Sequence, residues 1–145
     1  MFFFAHLLAG LIIGKLFGNY VIALIGALFL DLDHLIPYIK HKIIFKPKKL
    51  WKTITNSKDN YGNQRNFLHS FIFWAIISLI VLVFSLDAGI IFSLAYLSHL
   101  VLDLIDGSDF YPLYPFKWNV KGPIKYFSFG EVVINLALLI IFLLI

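Results

Sequence analysis

The stretch YVIALIGALFLDLDHLIPYI, Tyr20–Ile39, opens as an unbroken apolar run and then admits Asp31, Asp33 and His34 among leucines and isoleucines. From Tyr20 to Leu30 the chain spans only about 16 Å as a helix at 1.5 Å per residue. A hydrocarbon core is about 30 Å thick. The polar triplet therefore lies recessed below the headgroups, or the hairpin it belongs to is re-entrant.

Composition supports a bilayer. The chain is 61% hydrophobic and only 14% charged, whereas soluble domains carry about a quarter charged residues. A soluble fold of 145 residues could not hide the excess, and that length is consistent with a single domain, 1–145. Cysteine is absent, which excludes a disulfide framework, a thiolate metal site and a cysteine nucleophile. The opening MFFFAHLLAG lacks the basic region and small-residue cleavage site of a secretory signal, so it is expected to be retained.

Five apolar segments follow one another, at about 2–17, 20–39, 67–86, 88–105 and 129–145. None alternates like a strand, and most approach the roughly 17–25 residues of a membrane span. Short turns at Gly18–Tyr20 and around Asp87 predict two antiparallel helical hairpins. The expected fold is all-α, an integral membrane bundle of about five helices. A bundle this small is compatible with a homodimer.

Of the twelve Lys and Arg residues, eight lie between Lys40 and Arg65 and three between Lys117 and Lys125. In a soluble chain that loop would suggest nucleic acid. Between membrane segments it reports orientation instead. With the 40–66 loop cytoplasmic, alternation places the N-terminus and the 107–128 segment there too. The expected location is the cell (inner) membrane, multi-pass, with no nucleic-acid partner. Membrane lipids are the expected partners, with anionic headgroups at the basic loop. Tyr111, Tyr114 and Trp118 fit an interfacial aromatic belt.

This topology brings the polar groups to one depth. His6, Asp31, Asp33, His34, His69, His99, Asp103 and Asp106 all approach the cytoplasmic ends of their segments, with Arg65 before His69 and Glu131 opening the last helix. Each ionisable group at membrane depth costs roughly 2.5–3.5 kcal/mol on insertion scales, so such groups are rare unless paired or functional. Imidazoles with carboxylates and no thiolate suit Zn²⁺, Mn²⁺ or Fe²⁺. His99 and Asp103 are i,i+4 and share a face, continued by Asp106, and Asp31 and His34 pair at i,i+3. Asp33 points elsewhere unless the helix loosens. Pro37, which removes the bond to the Asp33 carbonyl, is the expected cause of loosening. Arg65 and His69 share a face if the third helix begins early.

The segments AHLLAG (5–10), GALFLDLDH (26–34), RNFLHS (65–70), AYLSHLVLDLID (95–106) and LYPF (113–116) resemble, in order, those of the membrane-bound metal-dependent hydrolases. That family is also described as LexA-binding or LexA-regulated inner-membrane hydrolases, once a domain of unknown function. Leu30 stands where the family usually has proline. The family is distantly similar to the zinc-dependent phospholipase C and P1 nuclease superfamily. The resemblance implies His6, Asp31, Asp33, His69, His99 and Asp103 as metal ligands, with His34 a further candidate, holding one to three divalent ions, Zn²⁺ foremost.

The expected function is metal-dependent hydrolysis of a phosphoester or lipid headgroup at the cytoplasmic face, through a metal-activated water. Arg65 is expected to stabilise charge on a phosphoryl or acyl oxygen, or else to be one more orienting charge. Asp106 and Glu131 are candidates to accept a proton. Their alternatives are a chain-exit cap for Asp106 and a favourable charge at a helix N-terminus for Glu131. Two other classes remain open: a metal or proton transporter, and a non-catalytic membrane protein whose polar cluster only joins helices.

Overall fold

The computed structural model describes residues 3–54, 65, 67–125 and 127–145. Among these the fold is all-α, without strands. Its helices are α1 (Phe3–Phe17), α2 (Tyr20–Leu28), α3 (Leu32–Lys40), α4 (Pro47–Ile54), α5 (Phe71–Phe84), α6 (Leu86–Ile105) and α7 (Phe129–Leu144). A 3₁₀ turn at Phe29–Asp31 joins α2 to α3, so Tyr20–Lys40 is one helical segment of 21 residues. That segment and α6 are long and apolar enough to cross a membrane, while α1, α5 and α7 are shorter apolar helices.

Local sequence signals set the helix ends. Asn19 accepts from the Ile22 N–H at 3.1 Å and starts α2. Gly18 precedes it at φ +71°, a conformation that costs glycine little. Ser85 alone separates α5 from α6, accepting from the Ala88 N–H. Ser128 caps α7, and the Glu131 carboxylate accepts from the Phe127 N–H at 2.7 Å.

Central in the bundle, α6 packs against α1, α2 and α5, and α1 also packs against α2 and α7. The two hairpins expected from the short turns are both present. Buried apolar positions on the facing helices are mostly small, Ala5, Ala9, Ala23, Ala27 and Ala95. Small residues let backbones approach closely, which is how helices gain dispersion energy where lipid removes the hydrophobic drive. At Gly26 an added Cβ would lie 2.7 Å from the Phe92 carbonyl oxygen and 3.0 Å from the Ala95 Cβ. Large apolar side chains, by contrast, cover the outside, including Val132, Leu136, Ile140 and Leu143 along α7. The pattern is greasy outside and small or polar inside.

A cap of irregular chain closes one end. Phe110 and Val120 exchange backbone bonds at 3.1 and 2.8 Å, and the Gly107 N–H bonds Ile124 at 2.6 Å. Ser70, which caps α5, also donates to the Tyr114 carbonyl at 3.0 Å, and the Phe71 N–H bonds Pro112 at 2.8 Å. The cap is thus tied to the start of α5 and the end of α6.

Three expectations change. The third helix starts at Phe71, not 67, because the Ser70 hydroxyl and the Pro112 carbonyl take its first N–H groups. Arg65 and His69 therefore do not share a helical face. The loosening near Asp33 is the 3₁₀ turn at Phe29–Asp31, upstream of Pro37, which sits inside α3. The basic loop contains a helix, α4. Pro47 occupies its first position, where a missing N–H costs nothing, and Lys46 accepts from Lys49 and Leu50. The remainder of that loop, 55–64 and 66, lies outside the described residues.

Candidate metal centre

Four segments deliver the polar groups to one place. α1 brings His6, the 3₁₀ turn and α3 bring Asp31, Asp33 and His34, the turn before α5 brings His69, and α6 brings His99 and Asp103. His6, Asp33, His69, His99 and Asp103 are all buried. The cluster reaches the surface at Asp31 and His34, whose side chains are 30% and 24% exposed.

Asp103 sits at the middle. Its Oδ1 accepts from Arg65 Nη2 at 2.9 Å and lies 3.6 Å from His6 Nε2. Its Oδ2 lies 3.5 Å from both His69 Nε2 and His99 Nε2. The His6 and His99 rings stack at 3.6 Å, and His99 Nε2 lies 3.9 Å from Asp31 Oδ1. Among the described residues two groups of ligand atoms result, each lying within 4.8 Å: His6, His99 and Asp103, and Asp31, His69 and His99. His99 belongs to both.

Hydrogen bonds fix which ring nitrogens face inward. His99 Nδ1 lies 2.6 Å from the Ala27 carbonyl oxygen. A carbonyl only accepts, so Nδ1 carries the proton and Nε2 keeps its lone pair. His69 Nδ1 lies 3.2 Å from Asp33 Oδ2, which also accepts from the Leu68 N–H at 2.8 Å. That carboxylate holds the His69 proton on Nδ1 and turns Nε2 into the cluster. Neither His69 Nε2 nor His99 Nε2 has a hydrogen-bond partner among the described residues, although both atoms are buried. Buried polar atoms without a partner are costly, and inward lone pairs beside carboxylates are what a divalent cation requires. The donor set fits such an ion.

The expected site residues divide by position. His6, Asp31, His69, His99 and Asp103 come together. Asp33 stands behind His69 as its orienting acceptor, and His34 lies at the edge, 3.7 Å from Asp31. Arg65 is buried and bonds both Asp103 and, at 2.6 Å, Asp106. Asp106 also accepts from Ser108 at 3.1 Å. Glu131 is buried and caps α7. Nothing in the sequence points to the Ala27 carbonyl, since a backbone group in an apolar run carries no signal. Tyr96 carries none either. Its hydroxyl donates to the Leu68 carbonyl at 2.6 Å and pins the turn bearing His69.

Apolar helices with greasy outer faces and an inward His and Asp cluster define a membrane protein with a buried polar centre. Comparison with known families agrees on the membrane. The chain belongs to the YdjM inner membrane protein family, whose profile matches residues 1–145. No curated protein and no solved structure matches it.

Proposed function

We propose that this chain is a membrane-embedded metal-dependent hydrolase acting on a phosphoester, with its site at the cytoplasmic face. The observation that carries this is the pair of His and Asp triads sharing His99, with the buried Nε2 atoms of His69 and His99 turned inward. His6, Asp31, His69, His99 and Asp103 would hold the ion or ions, Zn²⁺ first, with Mn²⁺ and Fe²⁺ as alternatives. A divalent cation bound there would lower the pKa of a water towards about 7.

The chain's own groups do the rest. Asp33 and the Ala27 carbonyl hold the two imidazoles in the required tautomer. Arg65 engages Asp103 through Oδ1 and leaves Oδ2 towards the histidines. Asp106 and Glu131 are occupied by Arg65, Ser108 and the Phe127 N–H. Asp31 Oδ2, buried and without a hydrogen-bond partner among the described residues, is better placed to accept a proton. A lipid-like phosphoester suits the mouth at Asp31 and His34, because Leu32, Leu35 and Ile36 are exposed on the same short helix.

The basic segments and the positive-inside rule support a multi-pass topology with the N-terminus cytoplasmic. One observation favours a structural cluster instead: the Arg65 guanidinium bridges Asp103 and Asp106 and offsets part of the buried charge.

Metal content of detergent-purified protein separates the two readings. Stoichiometric metal in the wild type, lost in His99→Ala and reduced in Asp31→Ala, is the expected result. A wild type purified without chelator and free of metal overturns the proposal. A panel of lipid and soluble phosphoesters then tests the substrate.

A further inference from the structure

Residues Lys40–Ile54 contain six lysines and no carboxylate, a formal charge of +6 with His41 neutral. Within this stretch α4 has its apolar side chains, Leu50, Trp51 and Ile54, on an arc of about 100° at helical spacing. A helix in a water-soluble fold turns such an arc inward. Here Thr53, on another side of the helix, is buried, while Trp51 is 63% exposed and Ile54 39%. Ile43 anchors the preceding turn at 0% exposure, and beside it Phe45 projects at 81%. Lys48 and Lys52, a turn apart, lie beyond Trp51 on the polar side of the helix, and both are exposed.

We propose that α4 lies in the plane of the membrane and docks on anionic lipid headgroups, with Phe45, Trp51 and Ile54 inserted between them. Two features on one element carry this. An outward apolar arc requires a nonpolar environment, and a dense run of lysines on the same short element requires negative charge. The headgroup region of an anionic leaflet supplies both at the same depth. A tryptophan suits that depth, since its large ring is amphipathic and favours the membrane interface. Because α4 follows α3 after a short turn, docking would hold the α3 end of the bundle at the headgroup level. The inference does not depend on a bound metal.

The absence of cysteine allows a direct test on the full chain. Single cysteines at Trp51→Cys, Ile54→Cys and Lys48→Cys are spin-labelled and reconstituted into vesicles. The vesicles are phosphatidylcholine, alone or mixed with phosphatidylglycerol. In the mixed vesicles the labels at 51 and 54 are expected to be reached by oxygen and shielded from a water-soluble relaxation agent. The label at 48 is expected to show the reverse. Each lysine near the surface is worth about 1 kcal/mol, or about a fivefold change in docking. Lys48→Gln with Lys52→Gln, placed in the Trp51→Cys chain, is therefore expected to shift docking by roughly 25-fold towards the aqueous agent.

Equal shielding in both vesicle types overturns the role of anionic lipid. A label at 51 that is as water-accessible as the label at 48 in every vesicle overturns membrane docking. Strong dipolar coupling between labels on separate copies overturns it in favour of a second chain. Circular dichroism and elution position of each variant confirm that the bundle is intact.

Discussion

His99 Nδ1 on α6 meets the Ala27 carbonyl oxygen on α2 at 2.6 Å, across 72 positions of sequence. This one contact fixes the tautomer of the histidine common to both triads. His99→Ala is therefore expected to remove metal from both ligand groups, whereas His6→Ala leaves Asp31, His69 and His99 in place. Elemental analysis should read little metal in the first variant and partial metal in the second. Full metal in His99→Ala would show that the cluster is not the site.

Asp33 is placed to act through His69. Partners that orient a ligand typically change metal affinity by roughly 10–100-fold when altered. Asp33→Asn is expected to weaken affinity on that scale in a competition titration with a chelator. The amide oxygen can still accept from Leu68, so the melting temperature should fall little. A large fall in melting temperature with unchanged affinity would make Asp33 a packing residue only.

Arg65 offsets the buried negative charge of Asp103 and Asp106. Removing one partner of a buried ion pair costs about 3–5 kcal/mol, and Arg65→Ala takes the guanidinium from both Asp103 and Asp106. Thermal unfolding in detergent should register this as a marked loss, with much of it regained in Arg65→Ala combined with Asp106→Asn. A wild-type melting curve for Arg65→Ala would remove the ion pair from any account of stability.

Gly26 sets how closely α2 and α6 pack. With the Phe92 oxygen 2.7 Å from where a Cβ would stand, Gly26→Val must separate the helices. Overpacking of this kind costs about 1–3 kcal/mol. The same movement pulls Ala27 from His99, so weakened metal binding should accompany the lowered melting temperature.

In the cap, the Asn119 side chain donates to Asp109, and Lys121 lies 3.0 Å away. These partners, Asn119 first, hold the Asp109 carboxyl below its ordinary range. A carboxyl depressed in the folded state contributes stability above its unfolded pKa, about 3.9, and that contribution is lost as pH falls through the folded value. The wild type should therefore lose more stability than Asp109→Asn on acidification below about pH 4. Parallel pH profiles for the two would remove this carboxylate from the cap's stability.

Much of the architecture is readable from residue order. Apolar runs and short turns predict the helices and both hairpins. His99 with Asp103, and Asp31 with His34, follow from helical spacing alone. A common depth for them is the expectation that the distribution of the lysines gives. Such features are local, or depend on one global choice, and periodicity and charge record both.

Other features depend on contacts between distant segments. α4 was hidden inside a polar loop because its apolar arc is short and faces outward. The start of α5 is decided by Ser70 together with Pro112, some forty positions later. Asp33 is turned to His69 by a 3₁₀ turn that no proline marks, and Arg65 meets Asp103 and Asp106 only once α6 is beside it. The sequence by itself determined which chemistry is available and which apolar segments carry it. Tertiary structure alone decided which nitrogen of each histidine faces the carboxylates, because the proton position depends on an acceptor brought from another helix.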